Sequence, residues 1–372
     1  MYFWESPAWP HFTYHLEPCL KPLLDWTQRM GQANGLLLGL PESEQKQSLL
    51  EIMVAEAIKT SEIEGEYLSR QDVFSSIQIN LGMANNPPIL DMRARGAADL
   101  MLAVRQTFDQ PLDEAALQHW HRLLLPRAPH PVGIWRSQEE PMRVISGPMG
   151  RETIHFQAPP AARVPLEMQK FLEWFNLTAP GENQELIYPP IRAGIAHLYF
   201  ETIHPFEDGN GRIGRAISEK ALSQGIHRPV LLSLSSAIQN DRSRYYDEIK
   251  RAQRSQDITA WLEYFVGVCL KAQADAEQLI GFTLHKCRFR DRFAGRWNPR
   301  QTKVMEKMLT AGPHGFEGGM SARKYMNLTQ TSKATATRDL SELEMMDALK
   351  QIGQGRSTRY QIPWLEELTS GD

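Results

Sequence analysis

The chain has 372 residues, 42% hydrophobic and 23% charged, which is ordinary for a globular protein and allows two or three domains with ample core. Its three cysteines, Cys19, Cys269 and Cys287, show no paired spacing, which argues against a disulfide framework or a zinc site and favours a reducing, cytoplasmic compartment. The start of the sequence has no signal-peptide pattern, and no run reaches about 18 apolar residues, so we expect no membrane contact.

The net charge of −3 is unevenly distributed. Residues 286–362 contain 15 Lys and Arg against 7 Asp and Glu, a net charge of +8, so the rest of the chain carries −11. A basic C-terminal segment on an acidic body favours a contact with nucleic acid, although a solvated basic surface explains the same charge equally well.

The first third of the sequence is predicted to be helical. Residues 1 to about 40 are rich in Trp, Pro and Leu, which suits packing. From Glu42 an apolar stripe predicts a helix that Gly65 ends. Its end carries three carboxylates where the helix dipole favours cations, and solvation alone would tolerate them. They are Glu62, Glu64 and Glu66. Further helices are predicted from Ser69, over about 90–107, and over 113–125 with Asp113 as cap.

A β-hairpin is predicted between Gly133 and Phe156. Val144–Pro148 and Thr153–Phe156 flank a Pro-Met-Gly-Arg turn. An isolated hairpin is marginally stable in water, so we expect this one to lean on the helical core. Helices are then predicted from Val164 to Phe175 and from Ile191 to Ile203.

The stretch from His204 to Arg215 reads His-Pro-Phe-Glu-Asp-Gly-Asn-Gly-Arg-Ile-Gly-Arg. His204 could act as a base, and Asp208 could hold the Mg²⁺ that accompanies phosphates. Gly209-Asn210-Gly211 tolerates positive φ and can form an anion-binding nest at the start of the next helix. Arg212 and Arg215 share a face of that helix, and we expect Arg215 to face the open side. Each piece alone has an ordinary explanation, but together they indicate a site where a polyphosphate meets a base.

This stretch matches the pattern His-Pro-Phe-x-Asp/Glu-Gly-Asn-Gly-Arg-x-x-Arg at every specified position, so the chain resembles the Fic family. The resemblance implies a mainly α fold, with a Fic-type helical core and a β-hairpin flap. It also implies transfer of AMP from ATP to a Tyr, Thr or Ser hydroxyl of a target protein, itself included, with release of pyrophosphate. The implied roles are base for His204, Mg²⁺ ligand for Asp208, and ATP binding for Gly209, Asn210, Gly211, Arg212 and Arg215, with Asn210 steadying the α-phosphate. Tyr245 and Tyr246 resemble a family segment that walls the nucleotide pocket.

A second resemblance concerns regulation. Thr60-x-x-x-Glu64-Gly65 is similar to the family's inhibitory motif, Ser/Thr-x-x-x-Glu-Gly/Asn. It implies that Glu64 pairs with Arg215 and withholds from ATP the guanidinium that the γ-phosphate needs. The same glutamate could instead position water, so that the enzyme removes AMP from modified protein. The hairpin at about 142–156 is implied to dock the target by strand addition.

The C-terminal part resembles a winged helix-turn-helix. Short helices are predicted from Asn298, Ser321 and Ser332, and two strands flank Gly353–Gly355. If this part binds DNA, the expected contacts are Lys333, Thr337 and Arg338 in the groove and Arg356 and Arg359 on phosphates. It could also serve dimer or target contacts. A DNA-binding regulator with a nucleotide-sensing Fic core is therefore the alternative from another functional class.

We therefore predict five segments. They are an N-terminal helical module over 1–88 with the inhibitory helix at about 42–65, a Fic catalytic core over 89–285, a linker over 286–297, a winged-helix domain over 298–363 and a tail over 364–372. The expected substrate is ATP with Mg²⁺, and the expected partners are a target protein and DNA. A homodimer is left open.

Overall fold

The computed structural model describes residues 1–83, 91–146, 153–313 and 315–365. These residues are mainly helical, which confirms the predicted class. The helices are α1 Glu17–Leu38, α2 Glu42–Ile63, α3 Arg70–Asn80, α4 Met92–Gln106, α5 Glu114–Leu124, α6 Val164–Leu177, α7 Pro189–Ile203, α8 Asn210–Gly225, α9 Leu234–Asn240, α10 Arg242–Ala252, α11 Thr259–Arg292, α12 Pro299–Leu309, α13 Ala322–Thr329 and α14 Lys333–Met345. The strands are β1 Arg143–Ser146, β2 Thr153–Gln157, β3 Lys350–Ile352 and β4 Arg359–Gln361.

The chain divides into two compact units. The first contains residues 1–30 and 49–274, and the second contains residues 31–48 and the chain from 275 onward. None of the helices in the described ranges is both long and apolar enough to cross a membrane.

Helices α7 and α8 form the centre of the first unit. Every residue of α7 from Pro190 to Ile203 is buried, so this helix is surrounded by protein on all sides. Gly194 allows close packing, since a Cβ there would lie 3.0 Å from the Leu262 side chain. The indole of Trp261 also donates to the Gly194 carbonyl at 2.9 Å. The short connection after α7 therefore follows a helix that is packed on all sides.

Side-chain caps fix several helix starts where the sequence predicts them. Ser69 accepts from the backbone of Asp72, and Asp113 accepts from that of Ala116 at 2.7 Å. Asn298 forms a capping box with Gln301. Such caps satisfy N–H groups that the first helical turn leaves without partners, which is why these boundaries could be read from sequence.

The predicted hairpin strands are present. β1 and β2 pair antiparallel from Arg143↔Gln157 to Ser146↔Thr153, with a register shift after Val144. The predicted turn falls within 147–152, outside the described residues. The indole of Trp4 donates to the Gln157 carbonyl at 2.8 Å. The hairpin thus contacts the N-terminal aromatic segment, and its Phe156 is buried.

The second unit contains the predicted C-terminal helices and strands. Helices α12 to α14 and the antiparallel pair β3–β4 surround a shared apolar cluster. Ala336, Leu340 and Leu343 are buried on one face of α14, whereas Lys333, Thr337 and Arg338 are exposed. Arg356 lies in a short 3-10 helix between β3 and β4, and Arg359 is half-buried on β4. The winged-helix assignment stays a prediction.

The predicted linker over 286–297 needs correction, because most of it is helix. Helix α11 runs without interruption to Arg292. Phe289 and Phe293 are buried in the apolar cluster of the second unit, which gives this segment a packing role. The sequence prediction gave weight to the basic residues and overlooked the aromatic residues between them.

Candidate active site

The connection between α7 and α8 is a tight loop fixed at both ends. His204 caps α7 in the left-handed region, with φ 52 and ψ 60, and Gly209 precedes α8 with φ 80. The side chain of Asn210 closes the loop: its Oδ1 accepts from the Phe206 N–H at 3.0 Å, and its Nδ2 donates to the Phe206 carbonyl at 2.9 Å. Both polar groups of Asn210 are therefore engaged within the loop. The expected role of Asn210 in steadying the α-phosphate would therefore fall to its backbone N–H in the first turn of α8.

His121, which the sequence analysis did not select, contacts two residues of the loop, Phe206 and Asp208. Its ring stacks on Phe206 with centroids 4.0 Å apart, and Nδ1 accepts from the Gly133 N–H at 2.8 Å. Its Nε2 lies 3.2 Å from the Asp208 carbonyl, so Nε2–H is the donor there. Burial lowers the pKa of His121 to about 4, which keeps the ring neutral for this pair of bonds.

Arg136 anchors the backbone of His204, and it was also missed. The Arg136 Nε donates to the His204 carbonyl at 2.7 Å, and Nη2 donates to the Pro159 carbonyl at 2.5 Å. Burial and the charge of Arg136 lower the pKa of His204 to about 4. The imidazole is consequently neutral near pH 7, the form that can accept a proton.

Glu201 lies one turn before His204 and is almost completely buried. Its Oε2 is 3.8 Å from Nδ1 of His204, and Oε1 has no hydrogen-bond partner among the described residues. Burial and the charge of Glu64 raise the pKa of Glu201 to about 8, while Arg215 acts in the opposite direction. The carboxyl group is therefore protonated near pH 7. Gly214 makes room for it, since a Cβ at that position would lie 2.5 Å from Oε1.

The predicted contact between Glu64 and Arg215 is present. Arg215 Nη2 donates to Glu64 Oε1 at 2.7 Å and to the Thr60 carbonyl at 2.9 Å, and Nε donates to Thr60 Oγ1 at 2.8 Å. Arg215 is only 1% exposed. This corrects the expectation that it faces the open side, because the end of α2 covers that face of α8.

Arg212 is also buried and engaged, and this contact was not predicted. Its Nη1 lies 2.6 Å from Glu66 Oε2, and its Nη2 lies 3.5 Å from Asp208 Oδ2. The side chain of Arg212 is 3% exposed, against 31% for that of Glu66. The only sequence signal for this pair was the crowding of carboxylates after α2.

The arrangement suits an anion at the start of α8. Two buried guanidinium nitrogens, Arg212 Nε and Arg215 Nη1, have no hydrogen-bond partner within the described part of the chain. A Cβ on Gly211 would lie 3.2 Å from Arg215 Nη1 and would clash with Glu64 Oε1. The carboxylate of Glu64 thus lies directly over Gly211, where backbone N–H groups and two arginines favour negative charge.

The two tyrosines differ in their surroundings. Tyr245 is buried, and its hydroxyl lies 2.8 Å from Nε2 of His197, a fully buried histidine. Tyr246 is 38% exposed and donates to the Ile63 carbonyl at 3.2 Å, next to the end of α2. Of the two, only Tyr246 presents part of its ring to solvent beside the site.

Asp208 has the chemistry of a Mg²⁺ ligand. Its side chain is 55% exposed, and its Oδ1 accepts from the Gly209 N–H at 2.6 Å. The described ranges contain no cluster of three or more His, Cys, Asp or Glu residues that could hold a metal ion. A cation bound here would therefore complete its oxygen shell with phosphate and water oxygens, which is how Mg²⁺ is commonly held with nucleotides.

Sequence comparisons identify known relatives for parts of the chain. Residues 111–222 match the Fic/DOC family, and residues 2–83 match a domain of unknown function, DUF4172. The chain is 32% identical over 110 residues to the protein adenylyltransferase Fic of Drosophila melanogaster, which covers 30% of this chain and 20% of that protein. It is 30% identical over 118 residues to the Nematostella vectensis protein of the same name, covering 32% and 25%. The matches thus span a fifth to a quarter of these curated relatives.

Solved structures share the fold. A Fic family protein from Desulfovibrio desulfuricans G20 aligns with a TM-score of 0.50 at 19% identity, covering 92% of this chain and 95% of that one. A Fic domain containing signaling protein from Bacteroides thetaiotaomicron aligns with a TM-score of 0.53 at 18% identity, covering 70% and 98%. These likenesses concern the fold alone. Together with the loop from His204 to Arg215, the match over residues 111–222 shows that this chain contains a Fic/DOC domain with homology to the protein adenylyltransferases named Fic.

Proposed function

We propose that this chain is a protein adenylyltransferase, which transfers AMP from ATP to a hydroxyl side chain of a target protein. The observation that carries the proposal is the loop from His204 to Arg215. At one end it holds a neutral imidazole, and at the other it holds two buried arginines, each with a guanidinium nitrogen that has no partner among the described residues; that of Arg215 lies against Gly211. A base and a phosphate-binding group at opposite ends of one rigid loop are what transfer from a nucleotide requires.

In the proposed reaction, His204 takes the proton of a Tyr, Thr or Ser hydroxyl. The oxygen then forms a bond to the α-phosphorus of ATP, the bond from that phosphorus to the oxygen bridging to the β-phosphate breaks, and pyrophosphate leaves. Arg212, Arg215 and the backbone N–H groups of 209–211 bind the phosphates and neutralise the charge that develops. Asp208 would hold Mg²⁺, which supplies further neutralisation of phosphate charge when bound.

We further propose that the chain is restrained at rest by Glu64. Its carboxylate lies over Gly211 and engages Arg215, a position that an anionic phosphate would otherwise favour. Because Arg215 is buried, removal of its anionic partner leaves an uncompensated charge that strongly favours another anion. A phosphate and Glu64 should therefore compete for this position.

The proposal is tested with ATP labelled at the α-phosphate and mass spectrometry for an added AMP group. We expect Glu64→Gly to increase labelling of protein by about 5- to 150-fold, the usual range for coupling between sites. Glu62→Gln is the matched control, because Glu62 belongs to the same segment but pairs with Lys59 at 2.6 Å. Unlabelled protein with Glu64→Gly would contradict the proposed activity. If the unmodified chain instead strips AMP from labelled protein and Glu64→Gly does not, Glu64 serves removal rather than restraint.

Two partner surfaces are proposed. The target would dock on the pair β1–β2, which is a two-stranded sheet and so offers edge hydrogen-bonding groups for strand addition. DNA would contact the exposed residues of α14 and the β3–β4 connection, which lie in the segment of net charge +8.

The DNA contact is tested by measuring duplex binding of the full chain as a function of salt. Arg359→Ala should lower the slope of log K against log salt by about 1, whereas Lys21→Ala in the first unit should leave it unchanged. An absence of salt-dependent binding would remove DNA from the proposed partners.

A further inference from the structure

Glu66 engages Arg212 in the way that Glu64 engages Arg215. The two carboxylates belong to one short segment after α2, and the two arginines belong to the first turns of α8. The distances are alike, 2.6 Å for Glu66–Arg212 and 2.7 Å for Glu64–Arg215. Glu66 lies outside the pattern Thr60-x-x-x-Glu64-Gly65 from which the restraint was predicted.

The backbone at Gly65 explains how one segment reaches both arginines. The N–H of Gly65 donates to the Glu62 carbonyl at 3.0 Å, and that of Glu66 donates to the Ser61 carbonyl at 2.9 Å. With φ of 84 at Gly65, these are the bonds of a Schellman motif, which ends a helix and turns the chain. The turn therefore fixes Glu64 and Glu66 on either side of Gly65, with both carboxylates against α8.

The guanidinium group of Arg212 lies between two carboxylates, those of Glu66 and Asp208. Its Nη1 lies 2.6 Å from Glu66 Oε2, and its Nη2 lies 3.5 Å from Asp208 Oδ2. While Glu66 holds Nη1, the guanidinium faces protein carboxylates on two sides, and a third anion gains little from it. Loss of the Glu66 charge would leave Arg212 with one distant partner and restore its attraction for phosphate.

We propose that Glu64 and Glu66 form a double lock, in which Glu66 withholds Arg212 from the nucleotide phosphates while Glu64 withholds Arg215. This inference rests on the proposed function, because it takes both arginines as phosphate ligands. Productive binding needs both guanidinium groups, so opening one half of the lock gives only part of the gain. Full release requires that both carboxylates leave.

The first experiment measures binding by the full chain, without any transfer step. Glu66→Gln keeps the shape of the side chain and removes its charge, and we expect it to raise the affinity for ATP by about threefold to tenfold. Adenosine, which lacks phosphates, should bind with unchanged affinity. Glu62→Gln again serves as the control, since its partner is Lys59. Equal ATP affinity in Glu66→Gln, Glu66→Ala and the parent chain would overturn the inference, and so would an equal gain for adenosine.

The second experiment measures labelling from α-labelled ATP in Glu64→Gly, Glu66→Gln and the double variant. The two halves of the lock act on one ligand, so the double variant should exceed the product of the two single gains. A double variant equal to Glu64→Gly would overturn the inference while leaving the proposed function intact. Tighter ATP binding without labelling in any variant would retain the lock and reject adenylyl transfer.

A third variant opens both halves without touching any charge. Gly65→Ala places a Cβ on a residue with φ of 84, a backbone conformation that L side chains rarely adopt, and so strains the turn that directs both carboxylates towards α8. Gly65→Asn is the matched control, because asparagine tolerates this backbone conformation. We expect ATP affinity to rise about threefold in Gly65→Ala and to stay within twofold of the parent in Gly65→Asn. Equal affinities in both variants would contradict a lock that depends on the turn.

Discussion

The two ends of the loop from His204 to Arg215 bury charge in opposite ways. At the arginine end, two fully charged guanidinium groups are buried against the carboxylates of Glu64 and Glu66. At the base end, His204 and Glu201 are buried as neutral groups, because burial lowers the pKa of the first and raises that of the second. At the arginine end each positive charge is paired with a carboxylate. At the base end the shifted pKa values leave both side chains uncharged near pH 7.

This difference indicates on which step of the proposed reaction the proposed restraint would act. The base already has the protonation state that it needs, and Arg136 holds its backbone in place. The buried arginines, in contrast, require an anion, which is a glutamate in this structure and would be a phosphate in the proposed reaction. Restraint should therefore act on the binding of the nucleotide and leave the proton-accepting group ready.

The largest expected effect comes from the base end. In the Glu64→Gly background, His204→Ala should lower the rate of AMP transfer by about 10²- to 10⁴-fold, the usual contribution of a positioned base. The affinity for ATP should stay nearly unchanged, because His204 is not among the phosphate ligands. Measurement of kcat and ATP affinity separates an effect on proton transfer from an effect on nucleotide binding. A loss confined to affinity would show that His204 binds ATP and is not the base.

A smaller effect concerns pH. An ordinary histidine base would lose activity as the pH falls through about 6.5. Because the pKa of His204 is lowered to about 4, its neutral form persists, and transfer by Glu64→Gly should fall less than about twofold between pH 7.5 and 5.5. The rate should be followed with saturating ATP at each pH. A midpoint near 6.5 would show that the base is solvated.

The smallest expected effect is on stability, through Glu201. Its pKa is higher in the folded chain than in the unfolded chain, so its protonated form stabilises the fold at low pH. That contribution is lost progressively as the pH rises from about 4.5 towards 8. Glu201→Gln, which stays neutral, should melt like the parent at pH 5 and on the order of 5 °C higher at pH 8.

Two outcomes would contradict a protonated Glu201 in the folded chain. A difference in melting temperature that does not depend on pH would mean that Glu201 is already ionised in the folded chain. A parent chain that melts higher than Glu201→Gln at pH 8 would mean that its negative charge is stabilising.

Much of the fold could be read from the sequence because the relevant signals are local. Asp113 and Asn298 cap the helices that they precede, and the apolar stripe of α14 needs only the helical period. The failure at 286–297 had the opposite cause. Whether Phe289 is buried depends on distant residues, which composition alone does not reveal.

The candidate site divides in the same way. His204, Asp208 and the glycines were predicted from twelve consecutive residues. The groups that set their properties come from far along the chain: His121 supports Asp208 across 87 residues, and Arg136 reaches His204 across 68. The sequence spacing of His121 and Arg136 does not predict these contacts, because they form only when α5 and the segment after it pack against the loop.

The space that Gly214 leaves for Glu201 carries a consequence for relatives of this chain. A methyl group at position 214 and a carboxyl group at position 201 would occupy the same volume. Proteins with this loop should therefore vary the two positions together, with a glutamate at the equivalent of 201 only where the equivalent of 214 is glycine. Such paired variation would mark, among otherwise similar sequences, those that place an acid beside the base.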